Sequence, residues 1–222
     1  MAGKASSSRK KDKNPAKDDS ALTEERIVAA ARQIMETSGL DSVTMRRVAT
    51  ELGVTAMALY HHVADKHALV AMVADQVMDV IPDESLGGVS WYEALRHGFL
   101  AVHREIARYP GLGLYISSTN SFYPSGYRKL KKTIQMLVDA GFDEHEAIEI
   151  NYVLLAYQGG YFLTEQSAQR SSAMPITDEQ AEGPPEIRSR AVMNSYDSFI
   201  RGLDIVIAGF RAKLAAKQVL LG

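Results

Sequence analysis

Helix-capping and helix-ending residues alternate at short intervals between residues 23 and 82, and this spacing restricts what that part of the chain can fold into. The capping candidates are threonine and aspartate, whose side chains accept a hydrogen bond from a free backbone N–H, and the ending residues are glycine and proline. In chain order they are Thr23, Gly39, Thr44, Gly53, Thr55, Asp65 and Pro82. The spacing predicts four helices, of which the second and third are short and meet at a tight turn.

Apolar residues between these signals follow the period of a helix. The first segment carries a stripe at the i, i+3, i+4, i+7 spacing, made of Ile27, Ala30, Ala31, Ile34 and Met35. In the second segment, Val48, Ala49 and Leu52 face inward. Three helices with a tight turn between the second and the third form the helix-turn-helix pattern. Because the apolar positions point inward, we expect the short helix that begins at Thr55 to face outward.

The predicted outer face of that short helix lacks the glutamate and lysine that a merely solvated helix usually carries. It is formed by small, aromatic and thioether side chains, namely Thr55, Ala56, Met57, Ala58, Tyr60, His61 and His62. In a DNA major groove, alanine and methionine can contact thymine methyl groups, threonine can donate or accept a hydrogen bond, and tyrosine and histidine can reach phosphates. The composition of this face therefore favours close approach to DNA.

Cationic side chains stand at the N-termini of two predicted helices. Arg46 and Arg47 lie in the first turn after Thr44, and Lys66 directly follows Asp65. A cation at this position opposes the helix dipole, whereas free backbone N–H groups together with a cation bind phosphate well. The alternative is that these are ordinary exposed cations, whose position at a helix N-terminus costs little free energy.

The net charge of −2 does not by itself identify a nucleic-acid-binding protein, so the case depends on local patterning. Residues 1–20 differ from the rest, with six cationic and three acidic side chains and almost no apolar ones. We expect this segment to be a disordered basic arm. It is either a solvating extension or an arm that binds phosphate or a minor groove.

Composition and motifs exclude several classes of protein. The chain has no cysteine, which rules out disulfides and thiolate metal sites. Its apolar runs are too short for a membrane span and its polar N-terminus is unlike a signal peptide, so we expect a cytoplasmic protein. The sequence contains no P-loop, no nucleophile elbow and no pair of histidines at metal-ligand spacing. It therefore predicts neither an enzyme nor a metal or cofactor site.

The remainder of the chain is predicted to be a larger set of helices. One helix begins after Ser90 and ends before Pro110, another covers 127–140, and two long helices cover 143–169 and 186–215. Between them we expect a short apolar piece at 112–117, a loop with Phe122, Pro124 and Gly126, and an exposed loop at 171–186. The predicted fold is all-α. Its parts are the arm at 1–20, a helix-turn-helix domain at 21–70 and a ligand-binding and dimerisation domain at 71–222.

The two long predicted helices are apolar on more than one side. The first carries Ile148, Leu154 and Phe162, and the second carries Phe199 and Ile205 among other apolar residues. A helix that is apolar nearly all round must be buried on several sides. We therefore expect both helices to pair with those of a second subunit, approaching closely at Ala156, Gly159, Gly160, Gly202 and Gly209. The alternative is an internal helix pair in a monomer.

Aromatic and polar residues share several inward-facing stretches of this larger part, a mixture that is typical of ligand pockets. We expect a ligand site formed by Phe99, His103, Tyr127, Asn151, Leu155, Gln158 and Phe162. Its polar groups would be His103, Asn151 and Gln158. For each of these three the alternative is a satisfied polar residue of the core.

Residues 23–81 resemble the DNA-binding domain of the TetR family of transcriptional regulators. The matching residues are Gly39, the runs 43–49, 52–55 and 58–63, Lys66 and Leu69. The Leu-Tyr-x-His-Val-x-x-Lys run at 59–66 is the most specific of these features. The C-terminal half is similar to the ligand-binding domains of the family at 140–142 and 199–204.

The resemblance implies roles for individual residues. Arg46 and Lys66 would clamp phosphates, and Tyr60 and His62 would reach them as well. The residues toward the bases or the groove wall would be Met45, Thr55, Ala56, Met57 and His61, with Thr44 beside them. In the family, the two long helices build a four-helix dimer interface. A dimer would contact two half-sites about one helical turn apart, or a multiple of it, on a pseudo-palindromic operator.

These expectations combine into a dimeric transcriptional repressor that a small, largely apolar ligand releases from DNA by shifting the fourth helix. Two alternatives are open. An all-helical carrier or enzyme with a vestigial helix-turn-helix would bind DNA weakly and without regard to sequence. A constitutive architectural DNA-binding protein would show no dependence on ligand.

Overall fold

The N-terminal part consists of four helices in the predicted order. The computed structural model describes residues 22–82, 88–119, 123–171 and 195–221, and all regular structure within these ranges is helical. The helices are α1 (Glu24–Ser38), α2 (Met45–Leu52), α3 (Ala56–Tyr60) and α4 (Lys66–Asp79), with a 3₁₀ turn at Leu40–Ser42. Helix α3 ends at Tyr60, earlier than the Val63 expected from sequence. The predicted basic arm lies outside the described residues.

Each of these four helices begins at the predicted capping residue. The Oγ1 atoms of Thr23, Thr44 and Thr55 accept hydrogen bonds from the backbone N–H groups three residues later, and Asp65 Oδ1 accepts one from Ala68 N at 2.8 Å. Gly53 follows α2 with φ of 68°, a left-handed conformation that glycine adopts without steric cost. This turn fixes the angle between α2 and α3.

The core of the N-terminal part is built from one side of each helix. Ile27, Val48 and Leu59 are fully buried in it. Val73 and Val77 of α4 belong to the same apolar cluster, so α4 is packed against α1 over much of its length. The division of domains at residue 70 stays a prediction, because α4 runs through that point without a break.

The C-terminal part contains five helices in the ranges that the structure describes. They are α5 (Trp91–Ile106), α6 (Leu112–Thr119), α7 (Pro124–Asp139), α8 (Glu144–Ser171) and α9 (Tyr196–Leu221). Helix α5 starts with the predicted cap at Ser90, which forms a complete capping box with Glu93. The expected short apolar piece at 112–117 is a full helix, and α9 continues beyond the expected end at residue 215.

The expected loop around Pro124 and Gly126 is wrong for both residues, since they occupy the first turn of α7. Proline is well suited to a first turn because the N–H that it lacks would have no partner there. The loop expected at 171–186 begins one residue too early, because α8 extends to Ser171. Phe122, residues 172–186 and the start of the last helix at 186 fall outside the described residues.

The second core lies between α5, α7, α8 and α9, with Leu137, Leu154, Phe199 and Leu203 fully buried. The N-terminus of α8 is held to α9 by Glu146, whose carboxylate accepts a hydrogen bond from Lys217 Nζ at 2.7 Å and lies 3.2 Å from Lys213 Nζ. The Lys217 hydrogen bond and that from the Asp143 N–H lower the pKa of Glu146 to about 2. These contacts fix the crossing of the two long helices.

Candidate DNA-binding surface and ligand cavity

Helix α3 presents its apolar and aromatic side chains to solvent. Leu59 is fully buried and anchors the helix, while Met57 is 70% exposed and Tyr60 is 49% exposed. His61 and His62 are exposed as well, and Ala56 is half-buried. Met57, Tyr60 and His61 are three and four residues apart, so they share one face of the helix. The outward presentation expected from sequence is therefore observed.

Exposed cations flank α3 on both sides in sequence. Arg46 lies in the first turn of α2 and Lys66 is the first residue of α4, and both are exposed. Thr44 is exposed too, with its hydroxyl used as the α2 cap. Arg47 donates a hydrogen bond to Ser38 Oγ at 2.9 Å, which ties it to α1. Arg46 and Lys66 are thus placed where a phosphate could meet helix N-termini.

Met45 does not lie where the resemblance implied. Its side chain is 8% exposed and belongs to the N-terminal apolar core. As the first residue of α2, Met45 lies on the buried side of the helix, which it shares with Val48 and Ala49. Met45 is corrected from a base-facing residue to a core residue.

Helix α4 is tied to α6 close to Lys66. The hydroxyl of Tyr115 lies 2.8 Å from His67 Nδ1, and the two rings are in contact. Burial raises the pKa of Tyr115 to about 12, so the phenol keeps its proton at neutral pH. The next two residues of α6, Ile116 and Ser117, line a large cavity. A movement of α6 would therefore reach the N-terminus of α4.

Helix α4 is also tied to the first turns of α7. Ser125 donates from its backbone N–H to Asp75 Oδ1 at 2.8 Å and from its hydroxyl to the Asp75 carbonyl oxygen at 3.0 Å. Arg128 forms an ion pair with Asp79, and Lys129 Nζ donates to the carbonyl oxygen of Ile81 at 2.6 Å. These contacts connect α4 to a second helix that lines the cavity.

The cavity has a volume of about 1140 Å³ and lies between the end of α4 and helices α5 to α8. Five of the predicted ligand-site residues line it, namely Phe99, Asn151, Leu155, Gln158 and Phe162. Asn151 is 7% exposed and Gln158 is 4% exposed, and Gln158 Nε2 donates to the carbonyl oxygen of Phe99 at 3.3 Å. An apolar cavity with a few buried amide groups is typical of small-molecule sites.

Two predicted ligand-site residues lie elsewhere. His103 is buried in an aromatic stack, with ring centroids 4.0 Å from Phe199 and 5.0 Å from Phe162, and its Nε2 is 3.4 Å from Glu165 Oε1. Tyr127 is half exposed and lies beside Lys131, with Nζ 5.1 Å from the ring centroid. Both residues are corrected, because the ring of His103 is packed among aromatic rings and Tyr127 is exposed, and neither lines the cavity that other residues of α5 and α7 border.

Sequence reasoning missed the polar rim that α7 contributes to the cavity. Lys129, Lys132, Thr133, Gln135 and Asp139 all line it. The spacing of these polar residues is that of an ordinary solvent-exposed helix face. The sequence pattern therefore could not distinguish residues at a cavity rim from residues on open surface. These rim residues can be identified only from the packing of α7 against α8.

An apolar surface covers the outer side of the two long helices. We call it the α8–α9 face and define it by Ile148, Tyr152, Leu163 and Ile205, which are between 50% and 73% exposed. These large apolar side chains are exposed on two helices that contact each other, which makes this face a candidate interaction surface. Gly159 and Gly202 do not belong to it, because a Cβ atom there would lie 2.9 Å from Ser117 Oγ and 2.2 Å from Tyr157 Oη of the same chain.

The described part of the chain offers no metal site and no membrane-spanning helix. Among those residues, no three histidine or acidic side chains are grouped so that they could hold a metal ion. No described helix combines the length and the apolar character that crossing a membrane requires.

Comparison with known proteins gave matches over nearly the whole chain. A family model described as bacterial regulatory proteins, tetR family, matches residues 27–73, and one described as tetracyclin repressor-like, C-terminal domain, matches residues 82–214. Tetracycline repressor protein class D from Escherichia coli is 26% identical over 210 residues, which cover 90% of this chain and 94% of that protein. The transcriptional repressor DrrR1 from Streptomyces coeruleorubidus is 32% identical over 162 residues, covering 69% and 58%.

A solved structure with a bound small molecule is also similar. ActR from Streptomyces coelicolor in complex with actinorhodin matches with a TM-score of 0.69 and 25% identity. The match covers 87% of this chain and 99% of that one.

Proposed function

Because the chain belongs to the TetR family of bacterial regulatory proteins, we propose that it is a dimeric transcriptional repressor that leaves a pseudo-palindromic operator when a small, largely apolar ligand enters its cavity. The observation that carries this function is the outward presentation of α3 between exposed Arg46 and Lys66. Residues 21–70 would then bind DNA, and residues 71–222 would bind the ligand and the second subunit. A carrier or enzyme with a vestigial helix-turn-helix is not favoured, since the relatives reported above are named as repressors.

The proposed DNA contacts are divided by chemistry. Arg46, Lys66, Tyr60 and His62 would contact phosphates, which position the protein without reading sequence. Thr44, Thr55, Ala56, Met57 and His61 would lie in or beside the major groove. Retardation of the DNA upstream of the protein's own coding sequence, compared with random DNA in a salt series, tests this function directly.

Replacing Lys66 with alanine should weaken binding to specific and random DNA by a similar factor. A phosphate contact contributes to binding regardless of DNA sequence. Losing it reduces the magnitude of the negative slope of log K against log salt concentration by about 0.9 per contact, or about 1.8 for a dimer. Filter binding or fluorescence anisotropy across a salt series measures both quantities.

The matched control for this prediction is Lys131→Ala, which removes the same charge from an exposed position on α7. It should leave the salt slope unchanged. A Lys66→Ala protein that kept the full slope would show that Lys66 is an ordinary surface cation.

The proposed coupling between ligand and DNA passes through α4. Tyr115 and Ser125 connect α4 to α6 and α7, and both of those helices line the cavity. A ligand that fits better when these helices have shifted would move α4, and with it α3, away from the spacing that the operator requires. Such a ligand must bind the two states with different affinity, because equal affinity shifts no equilibrium.

Filling the cavity should imitate the ligand. Gly98 of α5 lines the cavity, and a Cβ atom there would meet no heavy atom within 4 Å, so Gly98→Phe places a ring in open space. We expect this variant to bind the operator about 5- to 150-fold more weakly, the usual range for coupling between two sites. Anisotropy titration of labelled operator measures the change.

Gly98→Ala is the control, since one methyl group leaves the cavity largely open and should change operator affinity less than twofold. Circular dichroism and thermal unfolding establish that both variants are folded. If a folded Gly98→Phe protein binds the operator as tightly as the original, occupancy of this cavity does not control DNA binding.

A further inference from the structure

The α3 helix lacks the side chains with which proteins usually distinguish bases. Between Gly53 and Asp65 the sequence contains no arginine, lysine, asparagine or glutamine. Those residues make the bidentate hydrogen bonds to guanine and adenine in the major groove. The hydrogen-bonding groups that remain on α3 and its cap are single hydroxyls and imidazoles.

The end of α3 that would meet base edges is apolar. In helix-turn-helix proteins, the N-terminal residues of the motif's second helix, which is α3 here, contact the bases. Here these residues are Ala56 and Met57, preceded by Thr55, whose Oγ1 already accepts the capping hydrogen bond from Ala58 N at 3.3 Å. Met57 is 70% exposed, so its thioether is accessible to a DNA surface at this end of the helix.

Burial on the opposite side fixes the direction of these groups. Leu59 is fully buried and Val63 is 3% exposed, which prevents α3 from rolling about its axis. Tyr60 and His61 lie one turn beyond Met57 on the same exposed face. A DNA surface that approaches α3 therefore meets a methyl group and a thioether first, followed by aromatic rings.

We propose that this protein reads its operator chiefly through thymine methyl groups, contacted by Met57 and Ala56 in each half-site. This specificity presupposes the DNA-binding function proposed above. Thymine is the one base that offers an apolar group in the major groove, through its C5-methyl. An apolar contact there excludes water from both partners and needs no hydrogen-bond donor on the protein.

The test begins by selecting high-affinity duplexes from a random pool with the full-length protein. Each thymine of the selected half-site is then replaced by deoxyuridine, which removes the methyl group and leaves base pairing unchanged. We expect at least one position per half-site at which deoxyuridine weakens binding by about fourfold, or about 15-fold when both half-sites are changed. A C·G pair at that position should lose affinity, and 5-methylcytosine should recover part of it.

Variants of Met57 test whether its side chain makes the contact with the thymine methyl group. Met57→Ala should bind the thymine operator more weakly and should no longer distinguish thymine from deoxyuridine at the Met57 position. Met57→Leu keeps an apolar side chain of similar size and should retain the distinction. Both variants should keep the circular dichroism spectrum and unfolding temperature of the original, because Met57 is 70% exposed and its replacement leaves the core intact.

The possible results distinguish failure of thymine-methyl readout from failure of the proposed DNA-binding function. Specific binding that is indifferent to deoxyuridine at every position overturns thymine-methyl readout and leaves the proposed function standing. If Met57→Ala and the original protein show equal deoxyuridine penalties at all positions, the assignment of the methyl contact to Met57 is overturned. Failure to select any preferred duplex overturns both the readout and the DNA-binding function.

Discussion

Replacing Ile205 with glutamate is expected to convert the protein to a monomer and to lower its operator affinity by about 100-fold or more. Ile205 is 73% exposed in the single chain and lies in the α8–α9 face. A carboxylate at this position would have to be buried without a partner when two such faces meet, and that desolvation is costly. A monomer contacts one half-site, so the gain from binding two linked half-sites is lost.

Analytical ultracentrifugation of the original protein and of Ile205→Glu measures the first effect, and anisotropy with a two-half-site operator measures the second. Val80→Glu is the matched control, because Val80 is 57% exposed at the end of α4, outside the α8–α9 face. It should remain dimeric. An Ile205→Glu protein that stays dimeric at micromolar concentration would show that subunits pair through another surface.

Replacing Phe199 with alanine is expected to reduce the free energy of unfolding by about 3 to 5 kcal/mol. Phe199 is fully buried on α9, and its ring contacts those of His103, Tyr157 and Tyr161, with centroids 4.0, 5.4 and 5.1 Å away. Removing the ring leaves a cavity at the centre of this cluster and exposes the buried imidazole to a void. The surrounding helices can fill that void only in part.

Denaturant unfolding at fixed protein concentration measures this loss, since the stability of the proposed dimer would depend on concentration. Tyr127→Ala removes a ring that is 50% exposed and serves as the control, with an expected change of less than about 1 kcal/mol. If Phe199→Ala unfolded at the same denaturant concentration as the original protein, the aromatic cluster would contribute little to stability.

Much of the N-terminal part was predictable because its signals are local. A capping bond joins residues three apart, so Thr23, Thr44, Thr55 and Asp65 could be identified without any tertiary information, and the structure confirms each cap. The exposed side of α3 could be predicted for a similar reason. A helix has one apolar side, and the remaining side must face outward.

The structure brings only some of the predicted ligand-site residues together at the cavity, for a reason that His103 makes clear. Periodicity places His103 and Phe99 on the same inner side of α5, and both are buried. Phe99 borders the cavity, whereas His103 is enclosed by aromatic rings from α8 and α9. The difference depends on which helices cross α5 at each level, and no residue of α5 carries that information.

The amino-acid sequence determined the helices, their caps, the outward position of α3 and the family to which the chain belongs, because each follows from interactions within a few residues or from motifs of fixed spacing. The packing of the helices was needed to show that Met45 belongs to the core, that α7 contributes polar residues to the cavity, and that Gly159 and Gly202 serve contacts within the chain. The physical reason is that close packing is settled between helices distant in sequence, where the neighbour of a side chain depends on crossing angles and not on its own segment.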